Sequence, residues 1–428
     1  MLRETSYWEN IVLKLDSLLI YKKIADDRVL TSFRRLCLML AVEADVRDSH
    51  RGLYEFLSLL ASRAEELSLM GEIFRKYLHY LYLTDVNAFS MACESRTLTS
   101  SASIAKLALK DVQILKFLSE VDIANIIESF GDDEEIESYW PAQIKENPYL
   151  DRIMEAGAAE AKLSMLQWYY ELIGCGDFAE HKMYGVDDSG EIYAIRESDP
   201  VVFSDLIGCE YQKELLRSNT EAFLAKMQAN NMLLTGSRGT GKSSCIKALV
   251  NQYHDRGLRL IEMDKEQAHL MPKVLEQLKG RGKSFIIFID DLSFDDYEVK
   301  FKYLKKIMEG GAAVKPQNVL FCATSNRRHI IQEKWSDREG DELHAMDSMN
   351  EKLSLSDRFG LSITFPKPNP QEYTGIVVEL ARRMGIDIPE DELRKKALEW
   401  ELSQKEMSGR SARQFIARLA WEMKNLHV

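Results

Sequence analysis

Apolar residues in about the first 125 positions recur at the three- and four-residue spacing of an amphipathic helix. The spacing is clearest from Trp8 to Tyr21 and from Leu53 to Leu60. Because proline is absent until Pro141, we expect long, uninterrupted helices here. The pattern therefore predicts an all-helical N-terminal module, and its residues form no catalytic constellation.

Two segments of this module have alternative interpretations. The aromatic segment Tyr77–Tyr82, which includes His79, is either a ligand site or the packing face of a helix, and we favour the packing face. The acidic run Gly131–Glu137 indicates a solvated loop. One further amphipathic helix is predicted over Tyr149–Ile173.

The helical pattern ends between Gly174 and Pro200. Glycines and paired aspartates there indicate turns around a short strand at Glu191–Ile195. We place a domain boundary in this interval. The N-terminal module then covers residues 1–195 and is assigned to a macromolecular partner or substrate whose identity the sequence does not specify.

From Val201 onward, predicted strands alternate with predicted helices, which is typical of an α/β fold with a parallel sheet covered on both faces. We expect strands at Met232–Leu234, Leu258–Met263, Ser284–Ile289, Asn318–Thr324 and Leu361–Phe365. Between them, we expect helices at Glu210–Lys226, Pro272–Leu278 and Asp295–Met308. After Pro366 the pattern is helical again, with helices at Asn369–Met384, Glu390–Leu402 and Ser411–Leu426. The core then covers residues 200–366, and a C-terminal helical segment covers 367–428.

The turn after the first core strand fits G-x-x-x-x-G-K-[ST] at every required position, between a strand and a helix. Glycines let its backbone N–H groups approach phosphate oxygens closely at a helix N-terminus. Lys242 supplies a positive charge for the β- and γ-phosphates, and the Ser243 hydroxyl completes the shell of Mg²⁺. A plain glycine turn is the alternative, and the complete motif argues against it. The residues predicted to bind the triphosphate are Gly236, Ser237, Arg238, Gly239, Thr240, Gly241, Lys242, Ser243 and Ser244.

Two carboxylates, Asp290 and Asp291, follow the almost wholly apolar strand Ser284–Ile289. Because ligands of such sheets lie at the carboxyl ends of the strands, we expect both near the phosphate-binding turn. We assign Asp290 to Mg²⁺, and Asp291 to orienting or activating the attacking water as a general base. A solvated Asp-Asp turn is the alternative.

Polar and basic residues next to the last two predicted strands and at the start of the last predicted helix complete the candidate site. Asn326 follows the fourth strand, where an amide can bond the water and the γ-phosphate, or simply cap a turn. Arg358 precedes the fifth strand, where a guanidinium can reach a neighbouring subunit's γ-phosphate or form a structural ion pair. Arg410, with Arg413 as second choice, opens the last helix and either approaches the phosphates or lies on a solvated basic face.

Composition narrows the class of protein. The 428 residues are enough for two or three domains, and a net charge of −12 argues against a dedicated nucleic-acid binder. Six scattered cysteines without a C-x-x-C pair indicate reduced thiols in a cytoplasmic protein, and no structural metal is predicted. We expect no signal peptide in the first 13 residues and no membrane span, because no apolar run is long enough.

Together, these motifs resemble those of the AAA+ ATPases, over residues 200–428. The order matches: a box at Asp205–Gly208, the Walker A turn, Walker B at Phe285–Asp291, Asn326 as sensor 1, Arg358 as arginine finger and Arg410 as sensor 2. More narrowly, Gly-Ser-Arg-Gly-Thr-Gly-Lys-Ser-Ser, Phe-Ile-Asp-Asp-Leu-Ser-Phe and Ala-Thr-Ser-Asn-Arg-Arg-His are similar to a bacterial group of predicted ATPases known only as a domain of unknown function.

The resemblance implies ATP and Mg²⁺ as cofactors, ATP hydrolysis, a helical lid, and an adenine site lined by Ile207 and Gly208. It also implies a homo-oligomer, with a ring or hexamer as one form, in which Arg358 acts in trans. Most AAA+ proteins have Glu at the position of Asp291, whereas replication initiators and helicase loaders have Asp, as this chain does. The shorter carboxylate implies slow turnover or a switch-like role. The segment before Walker B lacks the aromatic pore loop of unfoldases, and the insertion Arg327–Lys352 implies a partner-binding or a solvated loop.

Three functions are compatible with these features. We favour an ATPase that remodels or assembles a macromolecular partner through the N-terminal module. The second is a nucleotide-gated nucleic-acid factor, which Asp291 and the pair Arg327-Arg328 favour and the acidic charge disfavours. The third is an ATP-binding scaffold with little turnover.

Overall fold

In the computed structural model, the chain forms two compact units, Met1–Glu180 and His181–Val428. The structure describes residues 2–99, 103–130, 147–292, 315–326, 359–404 and 407–426. Each unit contains its own cluster of buried apolar side chains. Within the described ranges, no helix has both the length and the apolar character required to cross a membrane.

The described residues of the first unit form helices joined by short connections, so the helical prediction for this region is confirmed. The helices are α1 (Leu2–Asp16), α2 (Lys22–Ala25), α3 (Arg28–Ala41), α4 (Val46–Leu67), α5 (Ile73–Thr84), α6 (Ala88–Glu94), α7 (Ser103–Ser119), α8 (Ile123–Ser129), α9 (Pro148–Glu155), α10 (Ala159–Leu172) and α11 (Asp177–Glu180). Capping side chains fix the residues at which several of these helices begin. Asp27 accepts hydrogen bonds from the N–H groups of Val29 and Leu30 at 2.9 and 3.2 Å, and so caps α3.

The single helix predicted over Tyr149–Ile173 is wrong, because α9 and α10 divide this segment. Ala156 and Ala158 both have extended backbone conformations on either side of Gly157. Glycine is the residue after proline that least favours a helix interior, so the helix breaks here without a proline.

The aromatic segment of α5 packs into the core of the first unit. Tyr77, His79 and Tyr82 are buried, and His79 Nδ1 lies 2.7 Å from the Arg75 carbonyl oxygen. The other ring nitrogen lies 3.1 Å from Nζ of the buried Lys162. Burial lowers the pKa of His79 to about 4, so the ring is neutral near pH 7 and accepts a hydrogen bond from the lysine. This geometry makes the segment a packing face with an internal polar contact.

The second unit is built on a sheet whose described strands follow the order β2-β1-β4-β5-β6-β3-β7. The strands are β1 (Met183–Val186), β2 (Ile192–Ala194), β3 (Met232–Gly236), β4 (Leu258–Glu262), β5 (Ser284–Ile289), β6 (Val319–Ser325) and β7 (Leu361–Phe365). All pairings among these strands are parallel except the β1–β2 hairpin. The prediction of a parallel α/β sheet is confirmed.

The β1–β2 hairpin lies in this sheet, whereas the predicted boundary at residue 195 includes it in the N-terminal module. Met183 of β1 pairs with Leu260 of β4, and the two compact units divide at residue 180 rather than 195. Strand β1 was not predicted, because it is only four residues long and includes Gly185. That glycine lies opposite Tyr193, and a Cβ at position 185 would be 2.4 Å from the tyrosine ring. The glycine therefore lets the two strands pair closely.

Helices flank the sheet and follow its last strand. They are α12 (Glu210–Leu224), α13 (Lys242–Tyr253), α14 (Met271–Leu278), α15 (Pro370–Arg383), α16 (Glu390–Gln404) and α17 (Gly409–Leu426). Asn369 and Glu372 form a reciprocal capping box at the start of α15, with both N–H···O distances 2.9 Å. Helices α15–α17 share an apolar cluster of their own, so they pack as a separate C-terminal helical group, which we call the lid. The predicted helix Asp295–Met308 and the insertion Arg327–Lys352 lie outside the described residues.

The strand order decides where the candidate site lies. Strand β6 is paired between β5 and β3, and all three run in the same direction. The segments that leave their carboxyl ends are therefore neighbours in space, although they are far apart in the sequence.

Candidate nucleotide-binding site

The turn between β3 and α13 has a backbone shape that requires glycine. Gly236, Gly239 and Gly241 have φ values of +141°, +74° and +94°, a region that other residues rarely adopt. A Cβ on Gly236 would also lie 2.2 Å from the carbonyl oxygen of Phe365 on β7. The turn therefore packs against the end of β7 and curls over the start of α13.

Lys242 lies at the centre of this turn and is 6% exposed. Its Nζ donates to the carbonyl oxygens of Gly236 and Ser237, both at 2.8 Å, and to Asn326 Oδ1 at 3.0 Å. Burial lowers the pKa of Lys242, and the nearby charges of Asp290 and Asp291 oppose this shift. All three acceptors are neutral oxygens. They do not cancel the positive charge of the ammonium, which is therefore available to a phosphate in the cleft.

Walker A and Walker B meet at one carboxylate oxygen. Asp290 Oδ1 accepts hydrogen bonds from Ser243 Oγ at 2.8 Å, from the Asp291 N–H at 3.1 Å, and from Thr324 Oγ1. These three donors fix the orientation of the carboxylate. A serine hydroxyl beside a carboxylate supplies the hard oxygen ligands that Mg²⁺ prefers, so the residues present fit this metal.

Thr324 is a site residue that we did not identify from the sequence. Its hydroxyl donates to Asp290 and accepts a hydrogen bond from the Asp291 N–H at 2.9 Å. One side chain on β6 therefore holds the Asp290 carboxylate and the backbone N–H of Asp291, at the end of β5. The available signal was its position two residues before Asn326, since alternate residues of a strand lie on the same face.

Replacing Thr324 with valine is expected to lower the rate of any Mg²⁺-dependent ATP hydrolysis in this cleft roughly 10-fold, because the charged Asp290 carboxylate loses a hydrogen bond. Nucleotide binding without Mg²⁺ should change little. The matched control is Thr324→Ser, which keeps the hydroxyl and should retain most of the rate. Equal rates for the two variants in a steady-state assay would contradict the assigned role.

Asp291 has an unusual backbone and two polar partners. Its φ is +52°, in the left-handed region. Asn326 Nδ2 donates to its Oδ1 at 2.5 Å, and Arg238 Nη2 lies 3.5 Å from its Oδ2. Since Asn326 also accepts from Lys242, the amide joins the Walker A lysine to the second Walker B carboxylate.

A cleft of about 560 Å³ brings most of the predicted site residues together. The predicted residues that line it are Ile207, Gly208, Arg238, Gly239, Thr240, Gly241, Lys242, Ser243, Ser244, Asp290, Asp291, Asn326, Arg410 and Arg413. Gly236 and Ser237 contribute the carbonyl oxygens that hold Lys242. Arg358 lies outside the described residues. Cys209, Ile376 and Leu380 also line the cleft and are not among the predicted site residues.

The two candidate lid arginines differ in their surroundings. Arg413 Nη2 donates to the carbonyl oxygen of Asp205 at 3.4 Å, so it joins the lid to the segment before Ile207. Arg383 of α15 donates to the neighbouring carbonyl oxygen of Ser204. Arg410 is exposed and lines the cleft. Arg413 is exposed and lines the cleft as well, so its contact with Asp205 is what distinguishes the two arginines.

Comparison with known protein families matches residues 179–423 to the family described as "Protein of unknown function (DUF815)". The match covers more than half of the chain and includes every described residue of the cleft.

Shorter similarities connect the chain to curated proteins. It is 29% identical over 131 residues to the 26S proteasome regulatory subunit 7 homolog of Saccharomyces cerevisiae, covering 26% of this chain and 28% of that protein. It is 25% identical over 173 residues to the Schizosaccharomyces pombe homolog, covering 35% and 40%. The chain thus spans less than half the length of these relatives.

Solved structures give matches of low similarity. The Thermotoga maritima RuvB Holliday junction branch migration motor matches with a TM-score of 0.39 and 15% identity, over 54% of this chain and 67% of that one. Caenorhabditis elegans PCH-2 matches with a TM-score of 0.35 and 17% identity, over 50% and 63%.

Proposed function

We propose that this chain, which belongs to the family described as "Protein of unknown function (DUF815)", is an AAA+ protein and a Mg²⁺-dependent ATPase. The observation that carries the proposal is the 2.8 Å hydrogen bond between Ser243 Oγ and Asp290 Oδ1. It joins two oxygen-bearing side chains that fit Mg²⁺, near Lys242 and the N-terminus of a helix, in one cleft. A triphosphate needs this combination of cation, metal and backbone donors.

The residues of the cleft would divide the work as follows. The N–H groups of the turn and the Lys242 ammonium bind the phosphates, and Ser243 and Asp290 hold Mg²⁺, which neutralises developing charge on the phosphate oxygens. Asn326 orients a water molecule, and Asp291 accepts its proton. Ile207 and Gly208 line the adenine.

We further propose that hydrolysis is coupled to remodelling or assembly of a macromolecular partner bound by the first unit. Within the second unit, the contacts of Arg383 and Arg413 with the carbonyl oxygens of Ser204 and Asp205 support the lid movement that such coupling requires. They join the lid to the segment that leads into Ile207. A change in nucleotide state would therefore move lid and segment together.

The six free thiols, five of them buried, suit the reducing conditions of a cytoplasm, which we propose as the compartment.

A steady-state assay tests the proposed ATPase activity. We expect phosphate release that requires Mg²⁺ and is unchanged by DNA at low and at high salt. DNA stimulation that fades with salt would instead identify a nucleotide-gated nucleic-acid factor, because phosphate contacts weaken as salt rises. Nucleotide binding without measurable turnover would identify a scaffold.

We propose that Arg358 completes the site of a neighbouring subunit in a homo-oligomer. Arg358→Ala should keep ATP binding and lose hydrolysis by roughly 1,000-fold, the magnitude typical of an arginine finger. Mixing this variant with an Asp291→Asn protein should restore activity, because the second protein supplies the missing guanidinium. No recovery over a range of mixing ratios would show that Arg358 does not act in trans.

A further inference from the structure

Both carboxylate oxygens of Asp291 are engaged by other side chains of the cleft. Asn326 Nδ2 lies 2.5 Å from Oδ1, and Arg238 Nη2 lies 3.5 Å from Oδ2. A general base needs an oxygen that can accept the proton of a water molecule. In the arrangement observed, that oxygen is shared with a cation.

Arg238 belongs to the phosphate-binding turn, two residues after Gly236, and it lines the same cleft as Lys242. The side chains of Arg238 and Asp291 are 74% and 54% exposed, so solvent screens their attraction. A weak, exposed ion pair can be exchanged for a stronger one. A terminal phosphate carries more charge than a carboxylate and offers bidentate geometry to a guanidinium.

The contacts on the other side of Asp291 are hydrogen bonds that lead to the buried Lys242. Lys242 donates to Asn326 Oδ1 at 3.0 Å, and Asn326 donates to Asp291. Two hydrogen bonds and one ion pair thus connect Lys242, Asn326, Asp291 and Arg238 in series, with a cation of the turn at each end. A triphosphate in the cleft competes for both ends.

We propose that Arg238 is a positioning residue that responds to the γ-phosphate. It holds Asp291 in an ion pair before nucleotide binds, and it transfers to the γ-phosphate of ATP and thereby frees the carboxylate. ADP, which lacks this phosphate, leaves the pair intact. The inference rests on the proposed ATPase function and adds a means by which the cleft distinguishes ATP from ADP.

A double-mutant cycle in nucleotide affinity tests the transfer without relying on turnover. The proteins are the full-length wild type, Arg238→Ala, Asp291→Asn and the double variant, each titrated with Mg²⁺ and either ATP or ADP by calorimetry at low temperature. Arg238→Gln provides a second variant that retains a polar side chain. The matched control is the cycle of Arg35→Ala and Glu55→Gln, an exposed ion pair of 3.3 Å in the first unit.

We expect Arg238→Ala to weaken ATP binding several-fold and to leave ADP binding unchanged. Asp291→Asn should tighten ATP binding in the wild-type background, because it removes the ion pair that ATP otherwise has to break. This tightening should be about 2- to 5-fold larger than in the Arg238→Ala background, which has no such ion pair. The cycle with ADP, and the control cycle, should show no such difference.

Two results would overturn the inference while leaving the ATPase proposal intact. One is an equal effect of Asp291→Asn on ATP affinity in the two backgrounds, and the other is the same coupling for ADP as for ATP. If the wild type bound no ATP, the proposed function and this inference would both fall.

Discussion

Replacing Lys242 with alanine is expected to weaken ATP binding by roughly 10- to 100-fold, the effect of losing hydrogen bonds to a charged group. The ammonium is buried at the centre of the turn, within reach of Asn326 and of two backbone carbonyl oxygens. Among the cations described in the lining of the cleft, Lys242 is buried, whereas Arg238, Arg410 and Arg413 are exposed. Equilibrium titration with ATP and Mg²⁺ measures the effect.

The matched control for this variant is Lys247→Ala, on the same helix α13 but outside the lining of the cleft. It should bind ATP as the wild type does. Thermal unfolding of both variants checks that the fold is kept. Wild-type ATP affinity in Lys242→Ala would refute the assignment of the turn.

Replacing Asp291 with asparagine is expected to lower the single-turnover hydrolysis rate by about 100- to 10,000-fold, the range that a general base contributes. Asparagine has nearly the same shape but cannot take a proton from water. Binding of ATP should persist, because Lys242, Ser243 and Asp290 are unchanged. A rapid-quench measurement on enzyme saturated with ATP separates this loss from any change in affinity.

Asp255→Asn serves as the control, since this carboxylate is fully exposed on a turn that does not line the cleft. Hydrolysis by Asp291→Asn at the rate of this control would show that the base is another group, or that Asp291 only orients the neighbouring side chains.

The sequence predicts the core of the second unit well, because its strands are apolar runs with sharp ends. Strand β7 spans the predicted Leu361–Phe365, and β5 spans the predicted Ser284–Ile289. Strand β1 is missed, since four residues that include Gly185 carry too little pattern. The break between α9 and α10 is missed as well, because a glycine alone does not reliably end a helix.

In the candidate site, likewise, the residues of contiguous motifs are predicted from the sequence, whereas contacts between distant segments are not. The phosphate-binding turn is a contiguous motif, and the placement of Asp290 and Asn326 beside it follows from the general rule for parallel sheets. Thr324 reads in the sequence as an ordinary strand residue, and only the pairing of β5 with β6 brings its hydroxyl to Asp290. The ion pair of Arg238 with Asp291 joins two separate loops, so no local sequence pattern predicts it.

The most direct test of the central claim is a structure determined with Mg²⁺ and a non-hydrolysable ATP analogue. Our account predicts the phosphates against the turn at residues 236–243, with Lys242 directed at them and the metal held between Ser243 and Asp290. A nucleotide bound elsewhere, with Lys242 still on the carbonyl oxygens of Gly236 and Ser237, would contradict it.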